Sequence, residues 1–243
     1  MTKTVIFTRE HPLDSRLQSQ LEEAGFKVHH LPLIQCQANP MPKEVLDKLS
    51  QMDWVFFTSA VAAECLAPYL KEPLPRVATI GHQTSKAVME LGYPVAFESK
   101  YQYAKDFAAE WLALNQPKQK ILLPQSSLSN PILAEMLREG GQEVLAWALY
   151  DTQHHKDGQE KLSAYLTEQE VLWTFASPSA WQSFHEICQI LPEAHEIAVI
   201  GTSTQQAVEM SGSTVSLMPE TPSIEKMVQT IIEEKGKKYD IVY

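Results

Sequence analysis

Three cysteines in 243 residues, Cys36, Cys65 and Cys188, are too few for a disulfide framework, and no pair has the C-x-x-C spacing of a zinc or redox site. An odd, sparse set suits a reducing compartment, with each thiol read as a small buried hydrophobe. Glycine is scarce as well. Nine glycines, none two positions from another, leave no G-x-G-x-x-G dinucleotide loop. A Walker phosphate loop and a G-x-S-x-G nucleophile elbow are also missing. Long apolar runs are absent: the run from Val5 to Phe7 is too short for a signal peptide, and Arg9 and Glu10 end it. No stretch approaches the ~20 apolar residues of a membrane helix. A soluble cytoplasmic protein with no membrane partner is expected. Positive charge is in deficit, with a net charge of −10 that argues against nucleic-acid binding, which needs a basic face. The eight histidines contain no H-E-x-x-H. His29–His30 and His154–His155 are adjacent pairs, so in a strand they face opposite sides, and no metal site is expected.

What the chain has is an ordinary globular balance, 44% hydrophobic and 21% charged, and a regular alternation of short β-rich runs with helical patterns. Strands are read at Thr4–Thr8, Phe26–Leu31, Trp54–Phe57, Val77–Ile80, Val95–Phe97, Ile121–Leu123, Val144–Leu149, Val171–Phe175, Ile197–Ile200 and Val215–Leu217. Between the first two, Leu13, Leu17, Leu21 and Ala24 recur at helical spacing, with Asp14 or Ser15 as cap and Gly25 as stop. Strands apolar on both faces and separated by helices predict parallel sheets covered on both sides, an α/β fold. Gln37–Pro42 and Asp151–Gly158 read as linkers. The charged tail Glu233–Lys238 reads as solvated, and Asp240–Tyr243 as a last short strand or disorder.

An internal repeat organises the chain. DWVFFTSAVAAE at 53–64 resembles VLWTFASPSAWQ at 171–182, so that Ser59 answers Ser177 at an offset of 118. RVATIGHQTSKAVMELG at 76–92 resembles EIAVIGTSTQQAVEMSG at 196–212, pairing Gly81 with Gly201, Thr84 with Thr204 and Gly92 with Gly212 at an offset of 120. LEEAGFKV at 21–28 aligns with LREGGQEV at 137–144 at an offset of 116, and on that register Ile34 aligns with Tyr150. Two related α/β units follow.

Chemistry-bearing residues collect where strands hand over to helices. Thr58–Ser59, Gly81 to Thr84, Ser177–Pro178–Ser179 and Gly201 to Thr204 all follow strands, and an open α/β sheet binds ligands outside the carboxyl ends of its strands. Each turn offers backbone N–H groups at a helix start, an anion site that needs no basic side chain. Pro178 at a first helical position suits its fixed φ. A Ser or Thr before a helix is by default only a cap, contributing about 1 kcal/mol. It is the duplication of the whole pattern that points beyond capping.

In order and spacing these motifs resemble the uroporphyrinogen-III synthase family over nearly the whole chain. The family's first strand ends in Thr-Arg, here Thr8–Arg9. Its Phe-Thr-Ser turn is Phe57–Thr58–Ser59, and its first Ile-Gly-x-x-Thr runs from Ile80–Gly81 to Thr84. A Leu-Pro-Arg turn is met by Leu123–Pro124–Gln125, followed by Ser126, and Tyr-x-Thr by Tyr150–Asp151–Thr152. Phe-x-Ser-Pro-Ser is Phe175–Ala176–Ser177–Pro178–Ser179, and a second Ile-Gly-x-x-Thr closes the set at Ile200–Gly201 to Thr204. Two departures stand out: Gln125 replaces an arginine, weakening one carboxylate contact, and Ser85 and Gln205 stand where alanine is common.

The resemblance implies two flavodoxin-like domains joined by a two-stranded linker. A discontinuous domain would hold residues 1–35 and 154–243, an inserted one 38–150, with linkers near 36–37 and 151–153 and a substrate cleft between the domains. It implies a cofactor-free enzyme acting on hydroxymethylbilane, a linear tetrapyrrole with an acetate and a propionate on each ring. Loss of the terminal hydroxyl gives an azafulvene, ring D attacks through its substituted carbon, and the spiro intermediate reopens and recloses with ring D inverted. Holding a flexible chain in one curled geometry is orientation catalysis. Hydroxide leaves poorly, so a general acid should help, and Tyr150, a phenol with ordinary pKa near 10, is the implied donor. Arg9 reads equally as a carboxylate partner or as a surface cap. Transient contact with neighbouring pathway enzymes is the further partnership the resemblance leaves room for. A non-catalytic two-domain module that binds small anions or tetrapyrroles shares the duplicated lobes and remains the alternative at this stage.

Overall fold

In a computed structural model, residues 3–236 are described, and they divide into two units. One takes the chain up to Gln35 and again from Gln153, and the other spans Cys36–Thr152. The reading of Asp240–Tyr243 lies outside the described residues.

The first unit is built on a four-stranded sheet from β1 (Thr4–Phe7), β2 (Lys27–His30), β9 (Val171–Phe175) and β10 (His195–Val199), in the order β10-β9-β1-β2 and parallel throughout. The alternation of faces decides what each residue buries. Ile6, Trp173, Phe175, Ile197 and Val199 enter one apolar cluster, and Val5, Phe7, Leu172 and Ala198 enter the other. A strand with both faces covered reads as a continuous apolar run, which is why periodicity of two is invisible in VLWTF. Five helices pack on it: α1 (Ser15–Glu23), α7 (Lys156–Tyr165), α8 (Pro178–His185), α9 (Thr202–Met210) and α10 (Ile224–Lys235). Asp14, not Ser15, caps α1, its carboxylate accepting from the Leu17 N–H at 2.9 Å.

The second unit carries the order β3-β8-β7-β4-β5-β6, from β3 (Ile34–Ala38), β4 (Trp54–Phe57), β5 (Arg76–Thr79), β6 (Val95–Glu98), β7 (Lys120–Ser126) and β8 (Glu143–His154). Every pairing from β8 to β6 is parallel. Helices α2 (Lys43–Leu49), α3 (Ala60–Leu66), α4 (His82–Glu90), α5 (Ala104–Leu112) and α6 (Ile132–Glu139) belong to it, with a 3-10 turn at Ala67–Tyr69. Trp54, Phe56, Phe107 and Trp111 interlock edge-to-face on one side, at centroid distances of 5.1–6.0 Å. Each such fully buried ring contributes roughly 2–3 kcal/mol through the area it removes from water.

The repeat is the same sheet read from two starting points. Aligned by the duplicated motifs, β9, β10, β1 and β2 stand for β4, β5, β7 and β8, and both sheets then have one order. The pairing extends to helix stops: Gly25 after α1 and Gly141 after α6 both take the left-handed conformation, at φ 91° and 86°, that any side chain would strain. The fifth strand is where the copies part. Val215–Leu217, read as a strand, makes a single bridge, Leu217 to Ala198, where its counterpart β6 is a full strand. The stretches read as linkers are themselves strand: β3 includes 36–37 and β8 runs through 151–153 to His154. The charged tail is helical as far as Lys235, the end of α10.

Candidate functional site

Parallel pairing puts the carboxyl ends of a unit's strands on one edge, and the chain crosses from one direction of winding to the other at one gap along it. In the second unit that gap lies between β4 and β7, and the turns flanking it are Thr58–Ser59 and Gln125–Ser126. In the first it lies between β9 and β1, flanked by Ser177–Pro178–Ser179 and Thr8–Arg9. The turns at Gly81–Thr84 and Gly201–Thr204 stand one strand further along, after β5 and β10.

Tyr150 reaches the edge through a defect in β8. Along this strand Leu145, Trp147 and Leu149 pack into one apolar cluster and Val144 and Ala146 into the other, as alternation requires. Residue 150 should then face the side of Val144. The register slips between Gln125 and Ser126, which pair with Ala148 and Tyr150, so β8 carries an extra residue. That bulge turns Tyr150 onto the same side as Leu149, where it is 7% exposed. Its hydroxyl lies 3.1 Å from Ser59 Oγ. Ser126 Oγ lies 3.3 Å from Thr152 Oγ1 and accepts from the Leu128 N–H at 3.2 Å.

The default reading of the serines as caps holds in full. Ser59 Oγ accepts from the Ala62 N–H at 3.1 Å and Ser177 Oγ from the Ala180 N–H at 3.2 Å. Ser177 also meets Ser179 Oγ at 3.0 Å, and Pro178 opens α8. Ser59 does more than cap, because it also meets the phenol. Thr58 and Gln125 are half-buried at the edge. Thr84 is buried and Thr204 is fully enclosed, its Oγ1 without a hydrogen-bond partner among the described residues. Gly81 takes φ 79°, whereas Gly201, its counterpart, is extended at φ −176°. The departure at Ser85 is absorbed by the core: its hydroxyl is fully buried and bonds Thr79 Oγ1 at 2.6 Å. Gln205 lies on the surface and donates to Glu209 at 2.9 Å.

Arg9 follows β1, its carbonyl accepting from His30 Nε2 at 2.9 Å. Burial pushes its guanidinium below the ordinary pKa, and the nearby Glu225 carboxylate works against that shift. Beneath it Thr8 and Thr174 exchange hydrogen bonds with each other's strands, at 2.7 and 3.0 Å, and lock β1 to β9 at the gap. The histidine pairs do face opposite sides. His29 stacks edge-on to Tyr165 while His30 meets Arg9; His154 pairs with Glu186 at 2.9 Å while His155 caps α7.

One segment of the second unit's edge escaped the reading of motifs. The turn after β6, residues 99–103, stands beside Gly81, with the Gln102 side-chain oxygen 2.8 Å from where a Cβ on Gly81 would sit. The signal was present: at the repeat's offset of 120, Tyr103 answers Ser223, and α5 and α10 begin at Ala104 and Ile224.

Among the described residues no helix is long and apolar enough to cross a membrane. A family model described as uroporphyrinogen-III synthase HemD matches residues 15–229. A chloroplastic uroporphyrinogen-III synthase of Oryza sativa subsp. japonica is 26% identical over 94% of this chain and 80% of its own length. A uroporphyrinogen-III synthase of Chlorobaculum parvum is 26% identical over 90% of this chain and 93% of its own. Among solved structures, the uroporphyrinogen-III synthetase of Helicobacter pylori superposes with a TM-score of 0.70 at 17% identity, covering 96% of this chain and 99% of that one. A mutant uroporphyrinogen III synthase of Thermus thermophilus gives 0.59 at 18% identity, covering 94% and 96%. Both structural likenesses speak to the two-sheet α/β fold.

Proposed function

The chain belongs to the uroporphyrinogen-III synthase family and serves tetrapyrrole biosynthesis, and from that premise we propose that Tyr150 is the acid that opens its reaction on hydroxymethylbilane. The observation that carries this is the bulge in β8, which brings the phenol to Ser59 Oγ at 3.1 Å on the carboxyl edge. A serine hydroxyl has one hydrogen to give and two lone pairs. With one lone pair on the Ala62 N–H, Ser59 can donate its hydrogen to the Tyr150 oxygen. That bond strengthens as the phenol loses its proton, so it favours the phenolate and eases transfer to the departing hydroxyl. Water leaves from the terminal carbon, and ring D attacks that carbon through its own substituted position. The spiro intermediate opens and recloses at the unsubstituted carbon of ring D. That carbon sheds a proton on closure, which restores the phenol.

The remaining turns hold the substrate. Thr58, Ser59, Gly81, Gln125 and Ser126 in one unit, and Arg9, Ser177, Ser179 and Gly201 in the other, supply main-chain N–H groups, hydroxyls, one amide and one guanidinium; Pro178, Thr84 and Thr204 shape the turns, the two threonines spending their N–H groups on the Gly81 and Gly201 carbonyls and burying their hydroxyls. Part of the donor set is already taken by the caps, so Arg9 and the uncapped N–H groups carry most of the binding. Three cysteines with no disulfide between them suit the reducing cytoplasm as the compartment of the reaction.

Freshly made hydroxymethylbilane closes to the uninverted isomer I unaided, so the product isomer is the test. The wild-type chain should yield isomer III in excess. Tyr150→Phe should lower kcat about a hundredfold or more, with the melting transition in place. Wild-type turnover in that variant would remove Tyr150 from the mechanism, and isomer I alone from the wild type would leave only a binding module.

A further inference from the structure

The reach of the second unit's edge sets up a question of anchors. From Tyr150 on β8 to the end of β6 there are four strand intervals, about 19 Å at ~4.8 Å each. A four-ring substrate curled with ring D against its terminal carbon at Tyr150 projects its middle rings and their carboxylates along that edge, and the side away from Tyr150 needs something to hold it. The turn that stands there, residues 99–103, is held more firmly than a surface loop usually is. Ser99 N–H donates to the Thr79 carbonyl at 3.0 Å, which continues the β5 ladder. The Glu110 carboxylate on α5 accepts from Ser99 Oγ at 2.8 Å and from the Lys100 N–H at 3.1 Å. Ser99 Oγ in turn accepts from the Tyr101 N–H at 3.0 Å. Gln102 closes the turn against Gly81, its side-chain oxygen occupying the place of a side chain there.

What this scaffold displays is a cation and a phenol. Lys100 enters none of the ion pairs found among the described residues. Glu110, the nearest carboxylate by hydrogen bonding, spends itself on the main chain and on Ser99. Tyr101 is 51% exposed, although a tyrosine ring in a pinned turn gains by burial. Ordering a turn in advance and leaving its charged and aromatic side chains in water is what a carboxylate anchor needs, because the entropy of ordering is met by the fold and not by the ligand.

We propose that Lys100 and Tyr101 form a further substrate-binding site, an anchor for a pyrrole side-chain carboxylate, with Gln102 and Glu110 as the residues that position it. The inference rests on the synthase reading above and adds a specificity-determining turn to it. An ammonium and a phenol give a carboxylate one charge-assisted and one neutral hydrogen bond, and neither touches the carbon where bonds change. The effect therefore belongs in KM and not in kcat.

Steady-state kinetics on hydroxymethylbilane, with isomers I and III resolved, tests it. Lys100→Met and Tyr101→Phe should each raise KM, together by roughly tenfold, with kcat and the melting temperature within error of wild type. Lys100→Glu should raise KM further. Lys105→Met, an exposed lysine on the first turn of α5, is the control for overall charge and should leave KM in place. An unchanged KM in Lys100→Met and Tyr101→Phe, or a rise no larger than in Lys105→Met, overturns the anchor while isomer III from the wild type keeps the synthase reading. Isomer I alone from the wild type would overturn that reading first.

Discussion

At the scale of single residues, a side chain's worth depends on what its polar atom meets. Ser59 and Ser177 occupy equivalent places and cap equivalent helices, yet only Ser59 has a phenol beside it. Ile34 is the repeat's counterpart of Tyr150 and is an apolar core residue, so the two copies share the scaffold and not the phenol. Thr204 shows the opposite case. Its hydroxyl is sealed from solvent and has no partner among the described residues, which costs roughly 1–3 kcal/mol against a bonded one. Thr204→Val keeps the shape and removes the unpaired group, so thermal unfolding should show equal or higher stability with KM unchanged. A KM raised tenfold with stability intact would mean that the hydroxyl swings out to grip the substrate.

At the scale of elements, ends are held together by side chains remote in sequence. Glu196 on β10 pairs with Lys235, at the last turn of α10, at 2.7 Å and with Lys3, just before β1. Burial alone would raise the Glu196 carboxyl, but the hydrogen bonds from Lys235 and Lys3 and their charges outweigh it and hold the carboxyl below its ordinary 4.5. A proton therefore binds more weakly to the folded chain than to the unfolded one. The stabilisation is whole above pH 4.5 and drains away as pH falls through the lower folded value. Half-exposed pairs are screened, so the sum is on the order of 1 kcal/mol. Urea unfolding should find Glu196→Gln less stable than wild type at pH 7, with the gap closing as pH drops below that range. A gap constant with pH would mean that shape and not charge is responsible.

The elements also mark where sequence reading stops. Strands buried on both faces declared themselves, and so did their glycine stops, because burial and left-handed backbone each restrict which residue types fit. β3 went unread because IQCQA carries little apolar signal, being half of a pair whose partner lies more than a hundred residues on. Val215–Leu217 erred the other way: the residues suit a strand, and the neighbouring chain supplies only one bridge. The bulge at Tyr150 leaves no trace in composition, since it is a mismatch of two strands and belongs to neither alone.

For the whole molecule, duplication explains the division into units. The segment 36–152 is continuous in sequence, and its first and last strands, β3 and β8, are neighbours in its own sheet. Its apolar clusters draw on residues of that segment only. Expressed alone, residues 36–152 should fold, with a single cooperative melt followed by the fluorescence of buried Trp54 and Trp111. A chain that stays unfolded would show that its core depends on the rest of the protein.

Most of the strands and helices, the doubling, the capped turns and the family they point to were determined by residue types and their spacing, because burial on both faces, helix caps and left-handed glycine stops each restrict which residues fit locally. Tyr150, the proposed acid, could be singled out from a motif, but its contact with Ser59 was decided by tertiary structure. So was the packing of residues 99–103 beside Gly81. A strand register and the fit of one turn against another are properties of paired segments, and no single segment encodes them.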